Sequence, residues 1–128
     1  MLIIMWIATG LLAVCNLLAG AGKAFTPWPA LQEKMPWTET TGKGIAYFAA
    51  WSEIVGAVGA ILPLILARTL DGWAWVSWVA FAAVLGLTVI QLLALALHLK
   101  RGEGKTLPVN LGLIAVGLSS AALILATR

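Results

Sequence analysis

The chain has 128 residues; 62% are hydrophobic, rising to about 72% when the 13 glycines are added, and only 10% are charged. A soluble domain carries roughly 45–50% apolar residues including glycine, and one this small buries only about two-thirds of its surface, so lipid must solvate the outside. The single cysteine, Cys15, excludes a disulfide scaffold and cysteine-clustered zinc or iron–sulfur sites, and a scattered net charge of +3 excludes a nucleic-acid footprint.

Charge-free stretches define the elements. Met1 to Gly22, Trp73 to Leu99 and Leu107 to Thr127 contain no charged side chain, and Ile45 to Ala67 contains one, Glu53. A helix crosses the bilayer core in about 20 apolar residues. Spans are therefore predicted over about 1–22, 45–67, 73–99 and 107–127. With short links they make an all-α integral membrane four-helix bundle, a single transmembrane domain over 1–128.

Ala19-Gly20-Ala21 resembles a small-residue cleavage site, but no cation precedes Leu2, so the first span is expected to stay in the membrane. Residues 23–43 form the long link, with Pro27, Pro29 and Pro36. Pro29 suits the first turn of a helix running to about Met35, and Ala30, Leu31 and Met35 against Gln32, Glu33 and Lys34 make it an amphipathic interfacial segment. Arg68 to Gly72 is a tight turn, so the second and third spans are expected as antiparallel neighbours. Gly104-Lys105-Thr106 mimics the end of a phosphate-binding loop, but Leu99 stands where that motif needs its first glycine.

Cations orient the spans. Lys23, Lys34, Lys43, Lys100, Arg101 and Lys105 lie on one side, against Arg68 and Arg128 on the other. The positive-inside rule puts loops 23–43 and 100–106 in the cytoplasm and both termini outside. Trp6, Trp73, Trp75 and Trp78 then mark the outer interface, and Trp28, Trp37 and Tyr47 the inner one.

The strongly polar residues of the spans gather in one leaflet. At 1.5 Å per residue Asn16 lies about 9 Å, Gln91 about 10 Å and Glu53 about 12 Å inside the cytoplasmic ends of their spans. His98, Lys23 and Asn110 lie nearer those ends. Helical phase groups Asn16, Gly20 and Lys23 on the first span, and Ala49, Glu53, Gly56, Ala57 and Ala60 on the second. It groups Thr88, Gln91, Ala94 and His98 on the third, and Asn110, Gly117 and Ala121 on the fourth. Small residues beside polar ones let helices approach closely enough for the polar groups to find partners.

Glu53 carries the strongest signal. An unpaired charge at that depth costs about 2.5–3.5 kcal/mol, so it must face the bundle, pair with a cation or carry a proton. Lys23 can snorkel to it, and His98 is the other candidate partner. The pair is read either as a structural device for helix register or as a functional site. For His98, a cation suited to a helix C-terminus competes with a proton carrier or hydrogen-bond donor.

Several of these residues resemble a family. Ala19-Gly20-Ala21-Gly22-Lys23 is similar to the glycine–lysine motif of DoxX-like membrane proteins. The run from Glu53-Ile54-Val55-Gly56-Ala57 to Leu62-Pro63 resembles their glutamate–glycine–alanine–leucine–proline second span. His98 closing the third span and Asn110 opening the fourth also match. The resemblance implies a four-helix protein of the bacterial inner membrane, with relatives that are membrane subunits of oxidoreductase assemblies, including thiosulfate–quinone oxidation. The leading expectation is an accessory or anchoring subunit of a larger membrane complex, surrounded by lipid and by other membrane subunits or copies of itself. It carries no covalent cofactor and no metal, and holds a quinone or lipid at the polar cluster of Glu53, His98, Lys23, Gln91, Asn16 and Asn110. The alternatives are a small intramembrane enzyme with Glu53 and His98 as acid and base on a hydrophobic substrate, and a proton-coupled carrier.

Overall fold

The computed structural model describes residues 1–128 and is helical almost throughout. Four long helices, α1 (Leu2–Ala24), α3 (Thr38–Thr69), α4 (Ser77–Lys100) and α5 (Leu107–Ala126), are apolar and long enough to cross a membrane. A short α2 (Trp28–Lys34) lies in the first link. The long helices run up and down in a ring: α1 packs on α3, α3 on α4, α4 on α5, and α5 closes back on α1. Both termini and the α3–α4 turn therefore share one end, the terminal face; the other two connections form the far face.

Bounds differ from the charge gaps where backbone chemistry intervenes. The second helix starts earlier than residue 45, but Gly42 (φ 80°) interrupts it, so Thr38–Thr41 form a separate leading turn. Only glycine adopts that conformation without strain. The third span starts later than Trp73, because Gly72 (φ 81°) closes a tight turn and Ala74–Val76 form a 3-10 turn before α4. Pro63 is buried inside α3, which continues helically through it.

Three glycines fix the helix spacings. A Cβ on Gly20 would meet the Ala50 carbonyl oxygen at 2.6 Å, one on Gly56 would meet Leu87 Cδ2 at 2.6 Å, and one on Gly117 would collide with Thr88 Oγ1. Each sits on a different helix pair, so α1–α3, α3–α4 and α4–α5 all approach closely at a glycine, with backbone as the obstacle at Gly20 and a side chain at Gly56 and Gly117. The seam of α3 runs through Ala46, Ala50, Glu53 and Ala57, so the alanine one turn before Glu53 that is buried is Ala50, not the expected Ala49.

The apolar core occupies the half nearest the terminal face. Met5, Leu12, Leu64, Val84, Leu87 and Ile124 are almost completely buried there with Ala60, Ala80 and Ala121. Only 28 of the 128 residues are buried, while large apolar side chains such as Ile3, Ile7, Leu18, Val55, Leu93 and Leu118 point outward. An apolar exterior of that extent is the surface lipid covers. Amphipathic α2 turns its apolar side onto the protein rather than onto acyl chains: Leu31 is fully buried, and Tyr47 of α3 donates to the Thr26 carbonyl at 2.6 Å.

Candidate functional site: a polar half at the far face

All six polar residues singled out from the sequence lie toward the far face, and the structure divides them into three groups. Depth predicts their common level, but helix azimuth decides which of them touch.

The first group is the ion pair. Lys23, in the last turn of α1, donates to Glu53 Oε1 from α3. Glu53 is 2% exposed, and Lys23 is largely covered, with its ammonium 5.7 Å from the centre of the Trp37 ring. Gly20 makes the pairing geometry available: lacking a Cβ, it lets α1 settle against Ala50 and the Glu53 Cβ, so the lysine one turn on reaches the carboxylate. The second carboxylate oxygen, Oε2, is buried without a hydrogen-bond partner. A buried acceptor left in that state costs about 1–3 kcal/mol, more for a charged group, and invites a donor.

The second group is a chain of amides. Asn110 of α5 donates to Gln91 Oε1 at 2.9 Å, Gln91 of α4 donates to Asn16 Oδ1 at 3.3 Å, and Asn16 of α1 donates to the Leu12 carbonyl at 2.8 Å. Three helices are thus tied together in the membrane interior. The run ends on another orphan, the buried Asn110 Oδ1.

The third group lies at the rim. His98 does not reach Glu53; its Nδ1 lies 3.1 Å from Glu103 Oε1, to which Arg101 Nε donates at 3.0 Å. The reason is the end of α4. Gly102 takes φ 71°, the Gly102 N–H donates to the Leu99 carbonyl and the Glu103 N–H to the His98 carbonyl, a Schellman turn that folds Glu103 back over His98. Burial pushes the Glu103 carboxyl up, but hydrogen bonds and charge from His98 and Arg101 outweigh it and hold it below its ordinary value of 4.5. Arg101 also donates to Thr40, joining the α4–α5 connection to the leading turn of α3.

Sequence reasoning missed Glu103, Thr40 and Trp37 as partners. For Glu103 a signal existed: glycine just past a helix end returns the second residue beyond it to the last turn. For Thr40 and Trp37 no periodic pattern applies, because both precede the break at Gly42.

Chemically the far half offers one buried ion pair, three buried amides and two acceptor atoms that lack donors. No curated protein and no solved structure matches the chain. A family model does, across residues 7–120, a stretch that contains Asn16, Lys23, Glu53, Gln91, His98 and Asn110. The chain is a multi-pass membrane protein and belongs to the DoxX-like family.

Proposed function

We propose that the chain is an accessory, anchoring subunit of a larger membrane complex of oxidoreductase or electron-transfer type, and that it holds a quinone or a lipid headgroup at Lys23 and Glu53. One observation carries the reading: a buried carboxylate spends one oxygen on Lys23 and leaves the other without a donor. A quinol hydroxyl, or the hydroxyl or ammonium of a lipid headgroup, supplies the missing donor; the Lys23 ammonium supplies one to a quinone carbonyl. Trp37 beside Lys23 offers a flat face at the same level. The broad outward apolar surface suits both lipid and neighbouring subunits. The bias of six cations against two supports a far face that lies in the bacterial cytoplasm.

The acid–base alternative needs Glu53 and His98 together. Their separate partners, Lys23 and Glu103, give it no support. Native mass spectrometry of the gently solubilised protein tests the proposal. The expected result is a stoichiometric membrane partner, with a quinone or lipid retained by the wild type and released by Glu53→Gln. Turnover by the isolated bundle, or identical retention in Glu53→Gln, overturns it.

A further inference from the structure

The terminal face holds a second polar feature that the far-face site does not use. A crevice of about 260 Å³ opens where the ends of α3 and α5 meet the start of α4, with Leu64 and Ile124 in its wall and Arg68, Ser77, Thr127 and Arg128 as its polar lining. Arg68 Nη2 donates to the Thr127 carbonyl at 3.0 Å, and Arg128 Nε donates to Ser77 Oγ at 2.9 Å. The Arg128 guanidinium also lies 4.2 Å over the Trp78 ring, which fixes its plane. Neither arginine belongs to any of the three ion pairs in the protein, and Asp71 in the adjoining turn pairs with nothing.

Each guanidinium carries five N–H donors in a rigid fork, and each spends one on the protein. Most of the donors remain, with two hydroxyls beside them. Helix ends oppose an anion only weakly: the C-termini of α3 and α5 each bring roughly half a negative charge and the N-terminus of α4 roughly half a positive one. Asp71 in the adjoining turn adds one full negative charge, and the two guanidinium charges still exceed the sum. Around the crevice, Trp73, Trp75 and Trp78 are exposed, with Trp73 stacked on Trp75 at 6.3 Å. Exposed tryptophans at a helix end mark the headgroup level of a bilayer, where phosphate is the abundant anion.

We infer that Arg68 and Arg128, with Ser77 and Thr127, form a binding site for a phosphate oxyanion at the terminal face, distinct from the Lys23–Glu53 site. Planar, bidentate recognition of phosphate is what two pre-oriented guanidinium forks provide and what lysines reproduce poorly. The alternative is that the arginines only cap the helix ends, Arg68 through the Thr127 carbonyl and Arg128 through the Ser77 hydroxyl.

The test uses the full chain in phosphatidylcholine nanodiscs doped with phosphatidylglycerol, released into mild detergent, with bound lipid counted by native mass spectrometry. A parallel sample is titrated with inorganic phosphate and followed by thermal unfolding. Wild type and the exposed-lysine control K105Q are expected to keep one anionic phospholipid per chain. R68Q/R128Q is expected to lose it by at least about tenfold, the scale of one charge-assisted hydrogen bond. If that variant fails to fold, R68K/R128K replaces it and is expected to lose occupancy without a fall in melting temperature. Inorganic phosphate that protects wild type but not the variant, with no lipid retained, assigns the same oxyanion site to free phosphate. Equal lipid retention in wild type and variant with a lower melting temperature in the variant means capping only. That result, or absence of both lipid and phosphate binding in wild type, overturns the inference.

Discussion

The two halves of the bundle solve the same problem in opposite ways. Nearest the terminal face, apolar side chains interlock and the few polar groups are internally satisfied: Thr9 and Ser120 pair across α1 and α5, and Thr88 returns its hydroxyl to the Val84 carbonyl. Nearest the far face, the same four helices carry a buried ion pair, an amide chain and two orphan acceptors. Lipid gives no hydrophobic drive between helices, so tight packing and satisfied hydrogen bonds hold the first half. A half built only for stability has no reason to keep unsatisfied groups at that depth. Within the membrane interior the contrast assigns cohesion to one half and recognition to the other; the arginine crevice lies outside that interior, at the rim of the terminal face.

Substitutions that separate these roles test the contrast, and the largest effect is expected at the ion pair. Lys23→Met strands a buried carboxylate and is expected to cost about 3–5 kcal/mol in a steric-trap or thermal unfolding measurement. Adding Glu53→Leu should recover most of that stability while ligand or partner retention stays lost. In the packed half, Met5→Ala is expected to cost about 2–5 kcal/mol through the cavity it leaves, with retention by the folded fraction unchanged. Lost retention there would merge the two halves. Gly20→Ala forces a methyl against the Ala50 carbonyl oxygen and is expected to cost about 1–3 kcal/mol, because the obstacle is backbone.

Smaller effects sharpen the picture. Gln91→Leu leaves Asn16 and Asn110 without their shared partner; intramembrane hydrogen bonds average about 0.6 kcal/mol, so a loss of about 1 kcal/mol for the pair is expected. The smallest effect belongs to the rim. With its folded pKa depressed, Glu103 contributes stability that is fully present above its ordinary value of 4.5 and is lost as pH falls through the lower folded value. Amide exchange in residues 38–42 should rise over that acid window in wild type, as the Glu103–Arg101 hold on Thr40 relaxes. Glu103→Gln should show the faster exchange already at neutral pH, and a pH-independent difference of zero would remove the link.

Much of this was legible in the residues. Charge-free runs located the spans because lipid tolerates so few exceptions, and depth with helical phase brought Lys23 to Glu53. The expectation that Glu53 reaches at least one of the other polar residues holds through Lys23. Hydrogen bonds link Asn16, Gln91 and Asn110 in one group and His98 with Glu103 in another, since equal depth says nothing about azimuth around the bundle. Ala50 replaced Ala49 in the seam because phase counted along one helix ignores the angle at which Gly20 admits its neighbour. His98 acquired Glu103 through a turn set by Gly102, a feature of chain reversal rather than of periodicity.

Infrared difference spectroscopy of the reconstituted protein, recorded on adding a short-chain benzoquinol, tests the role of Glu53 most directly. The carboxylate stretch of Glu53 is expected to shift as its free oxygen gains a hydrogen bond, and the band to be missing from Glu53→Gln but preserved in Met5→Ala. A spectrum that does not change at saturating quinol, or one that changes identically in Glu53→Gln, contradicts it.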